Sequence, residues 1–161
     1  MKKVIDFKWE YIIFGVWMMV LPLLGSCQKE ELPDEIRTLE DARKAIIGEW
    51  EWKETIIRHR GQETPIYETP ATENKTIRKI FGRNLTLSIV ETIDKISTQT
   101  DYEYVITIET PESDGYGSTF VLTSTDIKAK EKHLSTFRFQ NKNTLVFILG
   151  SPSVEFHYVR K

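Results

Sequence analysis

The chain has 161 residues, 40% of them hydrophobic, and a formal charge of −2, which suits one globular domain plus a terminal segment. Balanced charge argues against nucleic acid as a partner, because that footprint is a clustered basic surface. The single cysteine and the three separated histidines, His59, His133 and His157, form no convergent ligand set, so no metal and no cofactor is expected.

The first predicted element is a targeting segment over residues 1–26. Lys2, Lys3 and Lys8 precede an uncharged stretch, Tyr11 to Leu24. As a helix, its 14 residues would rise about 21 Å, too short for a hydrocarbon core of about 30 Å. A basic start, a short apolar centre and small residues after it read as a signal peptide. Leu24-Gly25-Ser26-Cys27 resembles the bacterial lipobox. That resemblance implies cleavage before Cys27, diacylglycerol on its sulfur and acylation of the new amino group with a palmitate-like chain. Several chains are needed for lasting attachment to a membrane, since each buried CH₂ contributes about 0.8 kcal/mol. Gln28, Lys29, Glu30 and Glu31 then follow in the order of the export signal of surface lipoproteins of Bacteroidota. This second resemblance implies display on the outer face of the outer membrane. Residues 27–37 read as a lipidated tether, and the same charges suit a spacer that holds a domain off the bilayer.

Residues 38–161 read as one domain. Thr38 caps a predicted helix that runs to Ile47, with Asp41 at the capping-box position and Gly48 as the stop. The helix is short and suits a plug or lid. From Gly48 the period becomes two: Trp50, Trp52 and Ile56 share one face of the first strand, while Glu49, Glu51, Lys53 and Thr55 share the other. A hairpin follows, turning at Gly82-Arg83-Asn84, with Leu85, Leu87 and Ile89 aligned beyond it. Asp101–Glu109, Ser118–Ser124, Leu134–Gln140, Asn143–Leu149 and Val154–Arg160 supply five more strands, giving eight. Alternation without intervening helices predicts an all-β antiparallel domain, and eight strands suit a closed up-and-down barrel, which has no free edge.

Gly48-x-Trp50 before the first strand, the Thr64-Pro65 and Thr69-Pro70 loop, and the terminal strand Val154–Lys161 together resemble the small lipocalin-like lipoproteins of Bacteroidota. The resemblance covers Leu39 to Lys161. It implies an eight-stranded antiparallel lipocalin-like barrel in which Gly48, Trp50 and Arg160 close one end, a basic residue of the last strand packing over the tryptophan.

No enzymatic activity is expected: the part beyond Cys27 has no GxSxG, no phosphate loop and no cysteine nucleophile. Glu49 and Glu51 alternate with Trp50 and Trp52, so they are expected in solvent and not as an acid–base pair. Binding remains. An eight-stranded barrel either fills with side chains or holds one small ligand. Abundant aromatic residues leave little room for a large fatty-acid cavity, so the expected ligand is a small apolar or amphipathic molecule. Candidate contacts are Trp52, Tyr102 and Tyr104, whose amphipathic side chains can pack and hydrogen-bond. Tyr67 is a fourth, carried with Ile66 on the long Arg60–Asn74 loop that could cover the barrel mouth. The alternative is a filled barrel whose loops meet a protein or glycan partner.

Overall fold

The computed structural model describes residues 33–110, 118–150 and 153–161. Cys27, Gln28, Lys29, Glu30 and Glu31 lie outside them. Leu32–Lys161 forms one compact unit, and every residue of the core cluster belongs to it.

Helix α1 (Leu39–Ala45) begins where the sequence places it: Thr38 Oγ1 accepts from the Asp41 amide at 3.1 Å, satisfying one orphan donor of the first turn. Its buried Ala42 and Ala45 join Ile46 in the core. Then come β1 (Gly48–Arg58), β2 (Ile66–Glu68), the single turn α2 (Pro70–Glu73), β3 (Lys75–Phe81), β4 (Thr86–Ile93), β5 (Ile96–Thr110), β6 (Thr119–Asp126), β7 (Lys132–Asn141), β8 (Thr144–Leu149) and β9 (Ser153–Arg160). β3 to β9 pair in chain order, and β1 joins both β3 and β9, all antiparallel. The β1–β9 ladder runs from Trp50–Arg160 to Arg58–Ser153, so eight strands close into a barrel.

Three local features depart from the sequence reading. The Arg60–Asn74 segment is not a bare loop. β2 pairs with Thr55–Ile57 of β1, where β3 has diverged after pairing only with Gly48–Glu51, and so it patches the wall. The turn α2 is a capped unit, with Thr69 and Thr72 bonded reciprocally and Pro70 at its start. Second, the β1–β9 register shifts between Trp52 and Glu54. A bulge of this kind inserts one residue and reverses the facing beyond it. Thr55 therefore turns inward, paired with Phe156 and only 1% exposed, and Ile56 turns outward beside Glu155. Third, β4 and β5 run further than expected, joined by Asp94-Lys95, both with positive φ. Leu85 leaves the apolar stripe: it sits in the turn at φ 61 and is 54% exposed.

The antiparallel register puts α1, Gly48 and the β3–β4 turn at one end of the barrel. The β4–β5 and β6–β7 turns lie at the other.

Candidate functional site

Inward positions follow from the ladders, because directly opposed residues share a face. Near the α1 end the interior is solid. Trp50 is fully buried, its Nε1 donates to the Ile46 carbonyl at 2.7 Å, and its ring lies 6.0 Å from Phe139. Phe120, Phe137 and Phe139 stack against one another beside it, with centroids 5.5–6.4 Å apart. The Arg160 guanidinium covers the outer face of Trp50, its carbon 4.4 Å from the ring centroid. From there it donates to the carbonyls of Ala45, Ile47 (2.9 Å) and Lys142 (3.3 Å). A planar fork with five donors suits this place, since it satisfies carbonyls at the end of α1 while lying flat on a ring. Gly48 adopts φ 129, and a Cβ there would come 3.0 Å from Arg160 Nη1, so side-chain space as well as backbone conformation calls for glycine. The structure thus brings Gly48, Trp50 and Arg160 together.

The expected ligand residues are dispersed. Trp52 is 3% exposed and donates from Nε1 to Thr55 Oγ1 at 3.1 Å, so it is packed wall and not open lining. Tyr104 is buried, edge-on to Phe81 at 5.3 Å, and its hydroxyl donates to the Gly82 carbonyl at 3.1 Å. Its polar tip is already used. Tyr67 is 55% exposed on β2, paired with the outward Ile56, and so stands away from the interior. Of the four, Tyr102 alone faces the interior with accessible surface. It lies towards the far end, edge-on to His133 at 5.9 Å.

That half of the barrel differs from the other. Ile77, Ile89, Tyr102 and Phe156 pack against the core yet remain partly accessible. Lys75 and Glu91, one diagonal step apart and both inward, form an ion pair at 2.5 Å. Between the two halves sits Lys79, which sequence reading passed over. It opposes Trp50 on β1 and Ile89 on β4, both inward. Its Nζ lies 3.7 Å from the Phe147 centroid and 5.0 Å from that of Tyr158. Those rings belong to β8 and β9, beyond β1, so the side chain reaches across the interior. Burial among these rings pushes the Lys79 ammonium down to about 8. The Tyr158 phenol is pushed well up by its own burial and, secondarily, by the negative charge of Glu91.

Outside the barrel, Glu155 links strands: it accepts from Arg58 at 3.1 Å, Arg138 at 3.5 Å and His157 at 3.2 Å. A groove of about 560 Å³ runs between α1, the β3–β4 turn and β5, with Leu85 and Val105 exposed along it and Arg43, Lys44 and Arg83 beside them. Among the described residues no three His, Cys, Asp or Glu side chains converge as a metal site. Comparison with protein families, with curated proteins and with solved structures finds no match.

Proposed function

We propose that this chain is a surface lipoprotein whose lipocalin-like barrel binds one small amphipathic ligand in the accessible half of its interior. The observation that carries this is the division of the interior. One end is sealed by the fully buried Trp50, Phe120 and Phe137, while towards the other Ile77, Ile89, Tyr102 and Phe156 pack against the core and keep some accessible surface. Ligand pockets combine such apolar walls with a few placed polar groups. Both tryptophans beyond residue 26, Trp50 and Trp52, stand on β1 beside this space and serve as reporters. Titrating fatty acids, small aromatics and haem into the soluble chain from Gln28 onward is expected to give saturable quenching with at least one class. No response from any of them would favour the second reading, a partner-binding module. The groove beside α1 supports that reading through its exposed leucine and valine and its three flanking cations.

The proposed address rests on Cys27 and the four residues after it. Cys27→Ser is expected to accumulate as an uncleaved precursor without labelled palmitate. Protease added to intact cells should degrade the wild type and spare a variant with Lys29, Glu30 and Glu31 replaced by alanine. Normal labelling of Cys27→Ser would overturn the lipoprotein assignment. Equal protection of both forms would leave the charged stretch as a spacer only.

A further inference from the structure

We propose that Lys79 reads the anionic head of the ligand, and that the barrel takes an amphipathic monocarboxylate head-first. This rests on the ligand-binding reading above and adds to it the chemical class and the orientation.

Placement comes first. β3 turns Lys75, Ile77, Lys79 and Phe81 inward, opposite Ile93, Glu91, Ile89 and Leu87. Lys79 is therefore flanked by apolar neighbours two residues away on either side. Its ammonium lies against the rings of Phe147 on β8 and Tyr158 on β9. Its inward position is fixed by the ladders, opposite Trp50 on one side and Ile89 on the other.

The ammonium is also unspent. It carries three donors, and the ring faces offer electrostatic attraction but no acceptor of ordinary strength. Among the described residues it has no hydrogen bond and no carboxylate partner. The acids that share the interior face are engaged elsewhere. Glu91 is held by Lys75, and the Asp126 carboxylate accepts from the amides of Lys128 and Ala129 at 2.7 Å each. His133 stands at the rim against Tyr102, and Tyr158 stays a neutral phenol because burial raises it. Lys75 and Glu91 hold each other and Asp126 is bound to the amides of the β6–β7 turn, so the Lys79 ammonium is an inward charge with no counter-ion in contact. A single negative charge neutralises it, and a carboxylate supplies the missing acceptors in a charge-assisted geometry.

Dimensions set the rest of the ligand. The floor is closed by Trp50, Phe137 and Phe139. From Lys79 to Lys75 at the rim is four residues, about 13 Å along the strand and about 10 Å along a tilted barrel axis. Ile77, Ile89, Phe156 and Tyr102 wall that length. A head at Lys79 thus puts an apolar body of medium length against apolar side chains, its end towards the mouth.

The test compares decanoate with decanol, which share a tail and differ in charge, on the soluble chain from Gln28 onward at pH 7. Wild type should bind decanoate at least tenfold more tightly than decanol. Lys79→Met, which keeps length and removes charge, should lose that preference by weakening decanoate alone. Independently, labelled-lysine NMR should show the Lys79 titration moving to higher pH with decanoate and not with decanol. Equal affinity for the two in wild type, or a preference that survives Lys79→Met, overturns the assignment while the barrel remains a ligand binder. Failure of both compounds to bind overturns the head-first reading, and haem or aromatic titrations then decide separately whether the interior binds anything.

Discussion

Trp50→Ala is expected to destabilise the soluble domain by about 3–5 kcal/mol, the range for emptying a large aromatic side chain from a core. Three losses coincide at this residue. The ring removes about 150–250 Å² from water and is fully buried, so its deletion leaves a cavity beside Phe139 that the closed wall cannot collapse around. The Ile46 carbonyl loses its indole donor, bonded at 2.7 Å, in a buried setting where an unsatisfied group costs about 1–3 kcal/mol. The Arg160 guanidinium loses the face it rests on, although its bonds to Ile47 and Lys142 remain. Against a typical domain stability of about 5–15 kcal/mol this is a severe change. Urea melts of wild type and variant, with circular dichroism as the probe, check it. A midpoint unchanged from wild type would mean that the sealed end does not hold the barrel together.

The barrel was legible in the sequence because its signals are local. Thr38 with Asp41 marks a helix start, Gly48 marks its end, and strict alternation from Trp50 onward marks strands facing a core. What escaped had weak local signals. The β4–β5 turn places Asp94 and Lys95 at positive φ, where a two-residue hairpin ordinarily advertises itself with glycine or asparagine-glycine, so residues 90–100 carried no turn signal. The bulge at Lys53 is set by how β1 must bend between β3 and β9, a tertiary demand, and it reversed the expected facing of Thr55 and Ile56. β2 forms because β1 and β3 diverge, which no pattern within residues 60–74 discloses. The interior lysine is a different case. Ile77, Lys79 and Phe81 share one face by simple alternation, so the period already placed a cation between two core positions. Alternation alone does not single it out, since lysine is almost never buried without a partner. Tyr104 and Trp52 illustrate the opposite limit: that their polar atoms find partners within the wall, Gly82 and Thr55, depends on neighbours the local pattern does not disclose.

The same lysine predicts an unusual pH profile for stability. In the unfolded chain its ammonium titrates near 10.4, whereas burial in the barrel lowers it to about 8. Between these values the unfolded state binds the extra proton, so stability must rise with pH there. Below about 8 both states are protonated and the cost of enclosing the charge is fully present; above it the folded lysine sheds its proton and the cost is relieved. Integrated from pH 8 to 9.5, wild type should gain about 1–2 kcal/mol. The window ends there because tyrosines oppose the trend beyond it. Tyr158 is held protonated in the barrel by burial, and Tyr104 likewise, so the unfolded chain gains by ionising them above about 10. Lys79→Met should flatten the profile between pH 8 and 9.5. It should also be the more stable protein at pH 7, by about 2 kcal/mol, because replacing a buried unpaired charge by a hydrophobe of similar length removes the desolvation cost and forfeits only the ring contacts. Denaturant midpoints of both proteins across the window measure this. A wild type that loses stability from pH 8 to 9.5, or a methionine variant weaker than wild type at pH 7, would mean that the rings stabilise the cation more than burial costs it. A stability cost at neutral pH is the expected counterpart of the proposed anion site, since binding residues are commonly held at the expense of stability.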